Sequence, residues 1–386
     1  MDRRSFLIGT GAISSQLLIG CSDNKTRLTV ELLKNSLPAQ VVDEFRRTLK
    51  SNTDITIALV EQFKDVFNKL ETWQKPTQPK NDLFGWFRRL QLGNSGNENK
   101  ISTDLISLGD YWLRVAIEKK LIQPIDVSQV QQWSVLPKQY KELVTRNDKG
   151  FVDPQGKIWG APYRWGNTVI VYRRDKFEEK KWAPMKDWAD LWCPELRNRI
   201  SLLNHPREVI GLVLKKLNKS YNETDLKSVT ELESELKKLS QQVKFYGSIQ
   251  YIEPLLIGDT LAAVGWSQDI LPALANYRDL AVIVPQSGTA QSVDLWVSPS
   301  GRQSQQELLT QWINFLWQPK IARQIATRTR SHSPIPIKIE TSEIPEQLRS
   351  SLIISQNILD KSEFILPLPV EVEQQYINLF ETMKKG

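Results

Sequence analysis

RLTVELLKNSLPAQVVDEFRRTLKSNTDITIALV, residues 27–60, holds a strand, a helix and a second strand in one short run. In Arg27-Leu-Thr-Val-Glu-Leu-Leu33 apolar and polar residues alternate, the period of a half-buried strand. Pro38 then opens a helix with Val41, Val42, Phe45 and Leu49 on one face, and Asp54-Ile-Thr-Ile-Ala-Leu-Val60 reads as the next strand. A further helix–strand step ends at Asp104-Leu-Ile-Ser107. The alternation returns between Arg199 and Pro285. It runs through a strand at Ile200–Leu203, a helix at Pro206–Leu217, a charged helix near Thr230–Leu239, and strands near Lys244–Tyr246 and Leu261–Val264. Strands and helices alternating at this spacing predict an α/β architecture with mostly parallel sheet.

Composition bounds what such a chain can be. Its 386 residues suggest two domains, and 40% hydrophobic with 25% charged residues is the balance of a globular protein with a sizeable core. The formal charge of +7 is spread along the chain and not gathered into a tract, so a nucleic-acid partner is not expected. One stretch breaks the rhythm. Residues 74–100, QKPTQPKNDLFGWFRRLQLGNSGNENK, begin and end in turn-forming polar residues around the short amphipathic piece Leu83–Leu92. It reads as an inserted surface loop, or as a piece that rests on a membrane surface or a partner.

The N-terminus, MDRRSFLIGTGAISSQLLIGCSDNK, has another character. Arg3 and Arg4 precede an apolar stretch, Phe6–Ile19, too short and too diluted by Gly and Ser for a comfortable membrane span. This is the pattern of an export signal, and the paired arginines resemble the twin-arginine type that a receptor reads. Leu18-Ile19-Gly20-Cys21 resembles a lipobox, in which Cys21 receives lipid and becomes the new N-terminus. With Cys21 so modified, Cys193 is the only remaining thiol, so no internal disulfide is expected.

Several strings in one order resemble the polyamine-type periplasmic solute-binding proteins of ABC importers. They are Pro162-Tyr-Arg-Trp-Gly-Asn-Thr-Val-Ile-Val-Tyr172, Trp188-Ala-Asp-Leu-Trp-Cys-Pro-Glu-Leu196, Asn204-His-Pro-Arg-Glu-Val209, Val264-Gly-Trp-Ser-Gln268, Val293-Asp294, Ile313-Asn-Phe-Leu-Trp-Gln-Pro319 and Ser333-Pro334. The resemblance implies a two-lobed α/β fold of the type II periplasmic-binding-protein class, with a hinge and an interlobe cleft that closes on its ligand. Residues 1–20 would then be the export signal and 21–26 a lipid-anchored tether. The first lobe would comprise 27–172 with the 74–100 insertion and 290–386, whose C-terminal helices are free to contact the other lobe. The second lobe would be 173–289. The protein would work outside the cytoplasm as a lipid-anchored monomer, deliver solute to ABC permease subunits, and need no cofactor.

A polyamine site needs carboxylates for its ammonium groups and aromatic faces for its methylenes. On the resemblance, Glu208 and Asp294 would pair amines, while Tyr111 and Trp266 would form walls. His205 stands where polyamine binders place an acid, Leu33 and Ser292 where they place wall tryptophans, Gly109 at a contacting serine and Ser331 at a tyrosine. Other ligands stay open: a molecule with one amine, such as an amino-acid derivative, or an anion held by Asn204, His205 and Arg207 at a helix start with help from Arg164. A partner-binding or assembly role is the remaining alternative. Trp188 and Trp192 are expected to pack between the lobes, and Trp312 and Trp317 to give one core and one rim residue. Catalysis is not expected. The chain has two histidines, no metal-ligand spacing and none of the common nucleophile or phosphate-loop motifs. Cys193 with His205 is the one pair that could be imagined as nucleophile and base.

Overall fold

The computed structural model describes residues 26–74, 103–274, 277–301 and 305–385. Arg3 and Arg4, expected in an export signal, Cys21, expected as a lipid attachment, most of the expected tether and nearly all of the 74–100 stretch lie outside those residues. Strand Thr26–Leu33 pairs in parallel with Thr53–Val60 along its full length and with Leu105–Gly109 on its other edge. Helix Ala39–Thr48 crosses between the first two strands and buries Val41, Val42 and Phe45, the face that its apolar spacing marks.

Two long strands then tie the molecule together. Ala290–Pro299 runs antiparallel to Leu105–Gly109, and Ala161–Arg173 runs antiparallel to Ala290–Pro299. The far half of Ala161–Arg173 is flanked by Ala262–Trp266 on one edge and Leu280–Ile283 on the other, both antiparallel. Ile200–Leu202 and Val243–Tyr246 extend this half in parallel. The sheet is therefore mixed, which corrects the expectation of a mostly parallel one. A chain that leaves one lobe along a strand and re-enters along its neighbour must run the second strand in the opposite sense.

The buried side chains form two clusters. One draws on residues between Leu28 and Trp165 and between Val293 and Ile335. The other draws on residues between Val169 and Val284, and again from Ile344 to Met383. Along the thirteen-residue strand the change falls between Trp165 and Val169, at Gly166-Asn167-Thr168. This is a two-lobed α/β fold with its crossing at that tripeptide. Each fully buried large aliphatic or Phe side chain contributes roughly 1.5–3 kcal/mol, so each lobe has a core of its own.

Three expectations need correcting here. The C-terminal stretch is shared between the lobes: Leu359, Phe364 and Leu366 pack against the first cluster, while its last helix lies in the second. Helix Val370–Lys384 puts Tyr376, Phe380 and Met383 into the second cluster, because its apolar face meets the helices of that lobe. Trp188 and Trp192 lie in or against the second cluster and not between the lobes. Trp188 is fully buried and donates its indole N–H to Gly288 O at 2.8 Å. Trp312 and Trp317 are both core residues, stacked or edge-on to Phe45, Trp296 and Trp133.

Candidate functional site

Helix Pro206–Lys216 carries the first half of the site. Its N-cap is His205, held in extended conformation, whose ring nitrogen Nδ1 accepts the Glu208 backbone N–H at 3.3 Å. Pro206 at the first helical position needs no acceptor and presets the backbone. Only a neutral imidazole can accept in this way. Burial, aided by the nearby Arg207 charge, holds the His205 pKa down to about 4. His205 is thus an uncharged cap.

One turn into the helix, Glu208 is 4% exposed and both its oxygens are occupied. Oε1 accepts the Trp266 indole N–H at 3.0 Å, and Oε2 accepts the Thr168 hydroxyl at 2.9 Å. Thr168 and Trp266 face each other across the antiparallel pairing of their strands. The carboxylate is therefore gripped by the crossing strand and its neighbour. Burial raises its pKa, while those two donors and Arg207 work against the rise.

Tyr111 comes from the first lobe, in helix Asp110–Glu118. Its ring meets the His205 ring edge-on at 4.5 Å, so the two lobes touch here, and 44% of it remains exposed. Its hydroxyl pKa is raised, first by burial and then by the charges of Glu373 and Glu208, with Arg207 opposing. Tyr111, His205, Glu208 and Trp266 are thus brought together.

Asp294 stands apart from that group. It sits opposite Gly109 and Arg164, where the pairing of the two crossing strands slips by a residue. Such bulges re-aim side chains. Asp294 and Arg164 are cross-strand partners at the edge of this slip, their side chains form an ion pair, and both are almost fully buried. Asp294 already holds a cation of this chain, so it is not free for an amine, and Arg164 is not free for an anion. Ser292 bonds Gln268 at 3.3 Å, and Ser331 bonds Thr329 at 2.7 Å. Gly109 is the cap of helix Asp110–Glu118.

The sequence did not point to Thr168, Asp110, Arg114, Arg146 or Glu373. Thr168 is the polar residue that opens the apolar run Val169–Tyr172, and that contrast was a usable signal. Asp110 and Arg114 lie four apart on a helix beside Tyr111, so they share a face with each other. Nothing links Arg146 or Glu373 to them in sequence. With Arg207, the residues Asp110, Arg114, Arg146 and Glu373 line a cavity of about 230 Å³ behind Tyr111. A larger cavity of about 1060 Å³ is lined by Trp165, His332, Ile335, Phe364 and others, and none of Tyr111, His205, Glu208, Trp266 and Asp294 borders it.

Among the described residues no cluster of His, Cys, Asp or Glu could hold a metal. Burial and the acids Glu195 and Asp190 push the Cys193 thiol up, the opposite of what a nucleophile needs.

Comparison with known proteins agrees with this architecture. The chain is 30% identical over 223 residues to the spermidine/putrescine-binding periplasmic protein of Salmonella typhimurium, covering 58% of this chain and 61% of that one. It is 27% identical over 252 residues to the putrescine-binding periplasmic protein PotF of Escherichia coli, covering 62% and 65%. The chain thus spans about three fifths of the length of these curated relatives. Among solved structures it superposes on the spermidine/putrescine transporter substrate-binding protein PotD of Streptococcus pneumoniae. The TM-score is 0.73 at 18% identity, over 93% of this chain and 99% of that one. The model of the bacterial extracellular solute-binding protein family matches residues 101–361. With two lobes joined by crossing strands and a gripped carboxylate where they meet, the chain belongs to the bacterial extracellular solute-binding protein family.

Proposed function

We propose that this protein is the extracytoplasmic solute-binding component of an ABC import system, which captures a small cationic solute between its lobes. The carrying observation is Glu208, a buried carboxylate held by Trp266 and Thr168 three residues along the helix from His205, whose ring meets Tyr111 of the other lobe. An amine entering there gains a charge-assisted bond, worth about 1.5–3 kcal/mol, with Trp266 and Tyr111 as walls. The curated relatives that bind spermidine and putrescine support a cationic ligand. Permease subunits are the receiving partner, and Cys21 is the lipid attachment that keeps the protein outside the cytoplasm. No helix among the described residues is long and apolar enough to cross a membrane.

A specific observation favours fewer amines than a polyamine carries. Arg164 already neutralises Asp294, which leaves Glu208 as the one expected cleft carboxylate without a cation on it. A solute with a single paired amine matches that count. Calorimetry with putrescine and spermidine tests the reading. Glu208→Gln is expected to weaken binding tenfold or more, and unchanged affinity would reject Glu208 as the amine partner.

A further inference from the structure

We propose that the cavity behind Tyr111 is an anion subsite, which takes a carboxylate or a small oxyanion against Arg114, Arg146 and Arg207. These three arginines are at least nine-tenths buried and line one space of about 230 Å³. Each is fixed by its other nitrogens. Arg114 Nη1 donates to Leu368 O at 2.9 Å and to Glu373 at 2.7 Å. Arg146 donates to Leu143 O at 2.8 Å and Gly150 O at 3.2 Å. Arg207 donates to Leu366 O, Tyr221 O and Asn222 Oδ1, and its guanidinium lies 4.7 Å from the Tyr376 ring centre.

After those bonds, Arg114 Nε, Arg146 Nη2 and Arg207 Nε remain buried with no acceptor among the described residues. A charged donor left unsatisfied away from water is costly, and each of these three belongs to an arginine that also lines the cavity. The charge balance points the same way. Against three cations the lining offers only Glu373, already bonded to Arg114, and Asp110, whose Oδ1 accepts the Val293 N–H at 3.0 Å. Burial also raises the Asp110 pKa to about 7, which lowers its share of negative charge further.

Placement links the cavity to the amine site. Tyr111 lines it and touches His205, and Arg207 directly precedes Glu208 on their helix. The anion could come from the acidic end of the cleft solute, an arrangement that rests on the reading above, or from a free anion. Putrescine and ornithine separate these sources, because ornithine is putrescine carrying one added carboxylate.

Calorimetry on the full chain would use putrescine, ornithine, acetate and inorganic phosphate, with Arg114→Gln and Arg146→Gln as variants whose folding is checked by melting. If the solute supplies the anion, ornithine binds at least tenfold tighter than putrescine, and either variant cuts that preference severalfold. If a free anion fills the cavity, phosphate or acetate saturates the wild type and binds severalfold more weakly to the variants, with no preference for ornithine. Absence of both effects overturns the proposal, and putrescine binding in that case leaves the cation reading standing. Phosphate binding without any amine binding does the reverse.

Discussion

Arg164 and Asp294 form a buried ion pair on the two crossing strands, and the proposed count of ligand carboxylates turns on it. Both side chains are nearly inaccessible, and a buried ion pair is costly to break from one side only. Arg164→Met would keep the volume but strand the carboxylate, and a loss of about 3–5 kcal/mol is expected. Denaturant unfolding measures it. The same variant frees Asp294, so putrescine affinity should rise even as stability falls. A variant that is destabilised yet no better at binding diamines would mean that Asp294 never faces the ligand. Glu208 differs because its two partners are neutral donors, which orient a charge without cancelling it.

At the scale of elements, helix Pro206–Lys216 does most of the positioning. It is buried from Arg207 to Lys215 and packs against helix Val370–Lys384, which closes over it from the end of the chain. Gly211 is where the helix is approached most closely. A Cβ there would lie 1.9 Å from Tyr221 Cδ1, and the Tyr221 ring is fully buried. Two effects oppose each other at this position. Ala is better than Gly in a helix by about 0.8–1 kcal/mol, while overpacking a core costs about 1–3 kcal/mol. The contact is too close for the ring to absorb, which puts the cost at the upper end, so Gly211→Ala is expected to destabilise by about 1–2 kcal/mol net in urea. A gain would show that Tyr221 can move aside.

For the whole molecule, the two clusters and the crossing at Gly166-Asn167-Thr168 define how the halves are joined. The C-terminal stretch is fastened to the second lobe by Lys215, which bonds Lys361 O at 2.6 Å and pairs with Glu363. It also reaches the first lobe through the ion pair of Arg114 with Glu373 at 2.7 Å. The proposed lipid attachment at Cys21 belongs to this scale too. Cys21→Ser is expected to release the protein from membrane fractions in detergent-free washes. Retention of the variant would reject lipid attachment at that residue.

Local periodicity was enough to read the strands and helices of both lobes, because a half-buried strand or a one-faced helix writes its exposure into every second residue or every third and fourth. The ordered strings around Trp188, Asn204 and Ile313 were enough to reach the family and its two lobes. The state of the cleft charges was not legible. Asp294 and Glu208 look alike in sequence. One meets a guanidinium 130 positions away and the other an indole and a hydroxyl, and those meetings depend on strand register and a bulge. The arginines behind Tyr111 were hidden for the same reason: Arg114, Arg146 and Arg207 are separated by long stretches of chain and share one cavity only once both lobes are in place. Periodicity records which side of an element faces inward. Which charge it faces is a property of folded neighbours, and only the tertiary structure decides it.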